Sequence, residues 1–317
     1  AVKPFKGSRG SRTTIHRNEV ARVIKVKDLT DKEYLYGHKA CPGCGMGIVG
    51  RLAAKVLGEK TIIALPASCM STVTTQYPQM NFSVPSMTMA FPGTGAVLSG
   101  MSAGLKSLGI KDVNVVGFAG DGGTADIGIQ ALSGAVERGD DFIYVCYDNE
   151  AYMNTGIQRS GMTPYGATTT TTPSGSASIG EKHFKKNMFE IMIAHRIPYA
   201  ATACSSYPTD FMNKIEKAKN TKGPAYIHVM APCPTGWGFP SDLTVEIGKM
   251  LVECGLWYLA EYENGKVKMN LVPKELKPVK DYLLAQKRFK HLKEEDIKAI
   301  EENRNREWEL IRENWMK

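Results

Sequence analysis

No run of about eighteen apolar residues occurs in the chain, so a membrane-spanning helix is not expected. The opening AVKPFKGSRGSR has no apolar core, so a secretory leader is not expected either, and a cytoplasmic location is the expectation. Histidine is scarce, with six in the chain, and the single Cys41-Pro-Gly-Cys44 has neither a second such pair nor closely spaced histidines. That spacing does not suit structural zinc, the main competitor for the cysteines. The dinucleotide fingerprint is also missing. Gly93-x-Gly95 has its third glycine misplaced and no strand immediately before it, which disfavours a nicotinamide-dependent dehydrogenase. Seven cysteines, an odd number with one close pair, speak against a disulfide framework and for metal or redox chemistry.

What the chain does contain suits an ordinary globular protein, long enough for one large α/β domain or two average ones. Its formal charge of +8 raises nucleic acid as a partner, but the excess is local. Lys3, Lys6, Arg9, Arg12, Arg17, Arg22, Lys25 and Lys27 face only Glu19 and Asp28 within residues 1–28. No helix-turn-helix, zinc-finger or RNA-recognition pattern accompanies them, so nucleic acid is not expected. Residues 1–40 read as a basic arm laid on an acidic neighbour. Residues 41–240 read as the α/β domain and 241–317 as an extension with a helical tail.

The informative stretch is 113–158. Val113–Phe118 is a β-branched run suited to a buried parallel strand, broken by Gly120, Gly122 and Gly123. Ile127, Ile129, Leu132 and Val136 then fit one helix closed by Gly139, and Phe142–Tyr147 is a second strand. A right-handed crossover makes these strands parallel, so Asp121 and Asn149, 28 residues apart, emerge together at the carboxyl edge. One carboxylate, one amide oxygen and a nearby backbone carbonyl are a partial oxygen shell for Mg²⁺, which completes its octahedron with phosphate and water. Gly122 and Gly123 let the backbone approach a phosphate at the helix start. The unit reads as a Mg²⁺–diphosphate site.

Around it, helices are expected at 46–57, 96–108, 182–194 and 208–219, and strands at Thr61–Leu65, Tyr199–Ala203 and Ala225–Met230. This alternation gives a doubly wound parallel sheet. Residues 71–90 read as a long irregular connection. Residues 160–180, polar and broken by Pro and Gly, read as an ordered active-site cover or subunit contact. In the tail, Ile297, Ile300, Trp308, Ile311 and Trp315 recur at loosely helical spacing, as in an amphipathic helix packed on its own domain or a partner.

Gly120-Asp121-Gly122 followed by Asp148-Asn149 resembles the thiamine diphosphate motif. The longer strings GDGGTADIGIQALSGA and DNEAYMNTGIQRS resemble the diphosphate-binding subunit of 2-oxoacid:ferredoxin oxidoreductases of the pyruvate-type branch. The resemblance implies that Asp121, Asn149 and the Ala151 carbonyl bind Mg²⁺, with Gly120, Gly122 and Gly123 at the cofactor. Asn154 then directs its amide at the substrate. GHKACPGCG resembles the family's opening motif and places His38 near the cofactor without a fixed role.

Cys41 and Cys44 stand at a helix entrance, and Cys69 and Cys233 follow strands; loops at one sheet edge converge. Four thiolates are the usual ligands of a 4Fe–4S cluster, and with the family strings CPGC, ASC and APCPTGW these four become the expected set. Cys146, Cys204 and Cys254 read as buried apolar residues, with Cys204 the substitute if Cys233 fails.

The implied activity is oxidative decarboxylation of a small 2-oxoacid, with ferredoxin accepting the electrons. The chain holds one such domain, so the resemblance implies a hetero-oligomer. One partner subunit carries the pyrimidine-binding half and another, ferredoxin-like, carries further clusters. Where pyruvate-type relatives have Phe-Glu-Asn-Ala-Ala, this chain has Phe91-Pro92-Gly93-Thr94-Gly95. Loss of the acid and amide tilts the expectation toward oxalate, which needs no coenzyme A, over pyruvate. The alternative class is a non-catalytic iron–sulfur electron-transfer module.

Overall fold

The computed structural model describes residues 23–76 and 79–316. The basic residues up to Arg22, and any contact of theirs with an acidic neighbour, lie outside the described residues.

Eight strands form the central sheet: β1 (Thr61–Pro66), β2 (Ser86–Met89), β3 (Asn114–Gly120), β4 (Ile143–Asp148), β5 (Tyr199–Cys204), β6 (Ala225–Met230), β7 (Leu259–Glu263) and β8 (Lys266–Leu271). Their order across the sheet is β8-β7-β5-β6-β4-β3-β1-β2. The six strands from β1 to β6 are mutually parallel, and β4, β5 and β6 are buried along their whole length. A parallel strand covered on both faces needs such continuous apolar sequence, which is why these three were readable in advance.

One face of the sheet is covered by α1 (Gly45–Leu57), α2 (Cys69–Thr74) and α7 (Pro208–Asn220). Val49, Met70 and Phe211 pack there against Leu65, Phe118 and Val145. The other face is covered by α3 (Thr94–Ser107), α5 (Ile129–Glu137) and α6 (Met188–Ala194), through Leu98, Leu132 and Met192. The fold is therefore α/β and doubly wound.

The structure corrects the sequence reading in four places. The sheet is not wholly parallel, because β7 runs antiparallel to β5 and the β7–β8 hairpin closes that edge. Residues 71–90 are not irregular: they contain most of α2, a short hairpin and the edge strand β2. Edge position leaves β2 half in solvent, so its sequence shows no apolar run. The expected helix at 182–194 begins only at Met188, capped by Asn187. Finally, the expected helix after Thr124 is two helices, α4 (Asp121–Ala125) and α5. Asp126 and Ile127 both turn their N–H groups back to the Gly122 carbonyl, and Gly128 lies so close to Gly123 that a Cβ would stand 2.1 Å from its oxygen. Ile127 is consequently exposed rather than core.

Beyond β6 come α8 (Pro234–Trp237), α9 (Thr244–Glu253), α10 (Val279–Leu284) and α11 (Glu294–Trp315). Ile297, Ile300, Trp308 and Ile311 of α11 are buried, and Trp315 stacks edgewise on Phe189 and Tyr258, so the tail helix packs on its own domain. Trp308 is the anchor. It is 2% exposed, donates its indole N–H to the Gly255 carbonyl at 2.8 Å, and occupies space that a Cβ on Gly255 would need. Trp308→Ala is expected to lower the unfolding free energy by about 3–5 kcal/mol in urea titration, the usual cost of emptying a buried tryptophan site. A change below about 1 kcal/mol would show that α11 is not held by this contact.

Candidate active site

The site forms where β3 and β4 end side by side. Gly120 pairs with Tyr147, so Asp121 leaves β3 level with Asp148 and Asn149 leaving β4. Asp121 is fully buried at the start of α4 and accepts a hydrogen bond from Ser160 Oγ at 2.5 Å. Burial, and then the charge of neighbouring Asp148, push its carboxyl well above the ordinary range. A buried carboxylate in that position needs a proton or a cation.

The oxygens around it fit a cation. Asn149 Oδ1 lies 3.0 Å from Asp121 Oδ1 and 3.0 Å from the Ala151 carbonyl oxygen, three acceptors facing one another. Turning the amide over would instead let its nitrogen donate to both. Adjacent ligands of an octahedral Mg²⁺ with bonds of 2.0–2.1 Å stand about 3 Å apart, which is the spacing seen here. In the orientation present, Asn149 Nδ2 points to Cys69 Sγ at 3.8 Å. The donor set fits Mg²⁺.

Asp148 is held differently from Asp121. Burial raises its pKa, but Lys185 and His228 outweigh burial and hold it at about 2. Lys185 Nζ lies 2.8 Å from Asp148 Oδ2 and 2.7 Å from Glu150 Oε1, and His228 Nε2 lies 2.9 Å from Asp148 Oδ2. Arg288 reaches Glu150 Oε2 at 2.6 Å. Sequence reasoning missed Glu150, Ser160, Lys185, His228 and Arg288. Glu150 lay inside the motif and was readable there, whereas Lys185 and Arg288 reach it from 35 and 138 residues away with no local signal.

The glycines have separate duties. A Cβ on Gly122 would sit 2.5 Å from the Tyr152 ring, whose hydroxyl donates to the Gly122 carbonyl at 3.0 Å. Gly122 is therefore small because Tyr152 lies on it. At Gly123 the nearest atoms to a Cβ are 3.8 Å away, on Phe91, an ordinary contact distance, so a side chain there is not excluded by crowding. Gly120, Gly122, Gly123, Asn149, Ala151 and Asn154 all line one cleft. Asn154 is exposed there and donates to Thr72 Oγ1 at 3.0 Å. His38 is not brought to this cleft: its ring lies over Gly47 in the first turn of α1.

The cysteines gather beside Asn149, with Cys69 itself lining the cleft. Cys41 and Cys44 form a turn before α1, and Gly45 N–H bonds the Pro232 carbonyl, setting Cys44 beside Cys233. Burial first, then the charges of Cys233 and Cys44, push the Cys69 thiol up to about 12. Burial also raises Cys233 to about 11; the Gly236 N–H bond opposes this, and Cys44 and Cys41 add to it. The four thiols thus feel one another. Among the described residues, however, no group of three or more His, Cys, Asp or Glu is placed to hold a single metal ion. Cys146, Cys204 and Cys254 are fully buried within the core.

Residues 67–229 match the family described as thiamine pyrophosphate enzyme, C-terminal TPP binding domain. The chain is 55% identical over 275 residues to pyruvate synthase subunit PorB of Methanothermobacter thermautotrophicus, covering 86% of this chain and 96% of that one. It is 49% identical over 304 residues to ketoisovalerate oxidoreductase subunit VorB of Pyrococcus horikoshii, covering 93% and 97%. Among solved structures it is similar to a 2-oxoglutarate:ferredoxin oxidoreductase from Magnetococcus marinus, with TM-score 0.54, 26% identity and coverage of 67% and 69%.

Gly122→Ala is expected to displace Tyr152 and cost about 1–3 kcal/mol of stability by overpacking. Adding Tyr152→Ala should recover most of that loss in a double-mutant cycle. Purely additive losses would mean that the ring can move aside unaided.

Proposed function

The chain belongs to the family of thiamine diphosphate-binding subunits of 2-oxoacid:ferredoxin oxidoreductases, and from that premise we propose that it is the catalytic half-site of an enzyme that oxidatively decarboxylates pyruvate. Bound thiamine diphosphate with Mg²⁺ supplies the decarboxylation chemistry and the electrons it releases. Asp121, Asn149 and the Ala151 carbonyl would hold the cation, and the backbone at Gly122 and Gly123, which lines the same cleft, would receive the diphosphate. Asn154, at the mouth of the same cleft, orients the substrate by its amide.

The observation that carries this reading is the contact between Asn149 and Cys69 at 3.8 Å. One residue belongs to the cation set and the other to the cysteine set, so a cluster held by Cys41, Cys44, Cys69 and Cys233 would border the cofactor cleft directly. That adjacency suits removal of electrons at the place where they are released. It also disfavours the non-catalytic electron-transfer module, which needs no Asp121 cation site. The pyrimidine-binding half and the onward path to ferredoxin are assigned to partner subunits of a hetero-oligomer.

On substrate, the reading moves from oxalate to pyruvate. The case for oxalate rests on Phe91–Gly95 facing the substrate. Of that stretch only Phe91 lines the cleft, Pro92 is exposed, and a Cβ on Gly95 would stand 2.4 Å from the Ala131 carbonyl, at the contact of α3 with α5. Its glycine thus serves helix packing. Relatives named for pyruvate and for ketoisovalerate support a small 2-oxoacid with an alkyl group.

The anaerobically purified complex is expected to reduce a low-potential dye with pyruvate and coenzyme A, more slowly with ketoisovalerate, and not with oxalate alone. Strong oxalate activity without coenzyme A would restore the first expectation. Cys233→Ser is expected to lose iron by metal analysis, whereas Cys204→Ser keeps it. Full iron in Cys233→Ser would remove that residue from the ligand set. Asp121→Ala is expected to lose thiamine diphosphate binding with the fold retained, read by equilibrium dialysis and circular dichroism.

A further inference from the structure

Glu150 is the residue between two proposed cation ligands, and its backbone is left-handed, at φ 66°. A non-glycine residue with a long side chain rarely adopts that conformation, so something must hold it. Three sets of contacts do. Its N–H donates to Asp148 Oδ1 at 2.8 Å, and its carbonyl accepts from Thr163 Oγ1 at 2.8 Å. Its carboxylate, 3% exposed, is gripped by Lys185 at 2.7 Å and Arg288 at 2.6 Å.

The contacts close into a ring. The Arg288 guanidinium lies 4.0 Å from the centre of the Trp237 ring, and the Trp237 indole N–H holds the Asn149 carbonyl at 2.8 Å. The path therefore runs from Glu150 through Arg288 and Trp237 back to Asn149. The Glu150 side chain is meanwhile on the far side of the backbone from the ligands. Asn149 and Ala151 line the cofactor cleft, whereas Glu150, Lys185 and His228 line a separate cavity of about 350 Å³ behind it. The Glu150 side chain thus acts on the cation site without touching it, through the backbone it anchors and through its partners Lys185 and Arg288.

We propose that Glu150 is a positioning residue: its clamp by Lys185 and Arg288 fixes the left-handed turn that brings Asn149 Oδ1 and the Ala151 carbonyl onto one cation. The inference rests on the reading of Asp121, Asn149 and Ala151 as the Mg²⁺ set. A clamp is needed because the turn is unfavourable for glutamate. Outer contacts of this kind typically change metal affinity by about 10–100-fold when removed.

The test is Mn²⁺ binding to the intact complex with thiamine diphosphate, by equilibrium dialysis, alongside cation activation of turnover. E150Q keeps the size and removes the charge. E150G removes the clamp and leaves a residue free to depart from the left-handed turn, because glycine populates many other conformations as readily. Both are expected to weaken Mn²⁺ about tenfold and to raise the cation activation constant equally. Turnover at saturating cation should stay within about twofold, which a general loss of structure would not allow. Should E150Q fail to assemble, R288Q opens the clamp from outside and must show the same tenfold loss. Wild-type Mn²⁺ affinity in E150G, E150Q or R288Q would overturn the proposal. A wild-type complex whose thiamine diphosphate binding is indifferent to Mn²⁺ would instead remove the cation reading on which it rests.

Discussion

Two carboxylates are buried where neighbouring parallel strands end, and much of the site follows from keeping them from repelling one another. Asp121 and Asp148 each raise the cost of charge on the other. The chain resolves this by asymmetry. Asp148 receives Lys185 and His228, which hold its carboxyl below the ordinary range, whereas at Asp121 the Ser160 hydroxyl and the more distant charge of Lys185 do not offset burial. The uncompensated carboxylate is the one that faces the cleft. A divalent cation bound by Asp121, Asn149 and the Ala151 carbonyl would supply the missing positive charge at that carboxylate.

The same economy explains why the loop after β4 carries so much. Within three residues it offers an amide to the cation set, a carboxylate to the rear clamp and a carbonyl back to the cation set. Period-two alternation of an extended segment would set those groups on two faces; the left-handed Glu150 adapts it by turning the backbone while its carboxylate stays anchored. Residues 160–180 complete the arrangement: Ser160 reaches Asp121, Thr163 reaches the Glu150 carbonyl, and Thr168 N–H reaches the Arg288 carbonyl. This stretch, whose regular structure is one short hairpin pairing Ser174–Gly175 with Ser178–Ile179, is thus tied to the site by side-chain and backbone contacts.

Legibility differed with the range of the interaction involved. β6 was readable to the residue, because a strand buried on both faces must be apolar throughout. α7 was readable from its spacing and from Pro208 at its start. The break between α4 and α5 was not readable, because Ile127 fits the apolar spacing and only the approach of Gly128 to Gly123 shows that the chain turns. β2 and β8 carry no apolar run because half their surface meets water; their signal is the weaker polar–apolar alternation, Ser86-Met87-Thr88-Met89 and Lys266-Val267-Lys268-Met269-Asn270-Leu271, which the sequence reading passed over.

By itself the sequence determined which residues could meet at the carboxyl edge. A strand, a glycine turn, a helix and a strand force Asp121 and Asn149 together by the geometry of a parallel crossover, and that holds whatever surrounds them. The family strings added the roles. Only the tertiary structure decided how these residues are held: which aspartate is neutralised, why Gly122 is small, that His38 lies over α1, and that Lys185 and Arg288 reach Glu150. Those contacts join elements far apart in the chain, and their energies depend on burial and distance, which one-dimensional spacing does not encode.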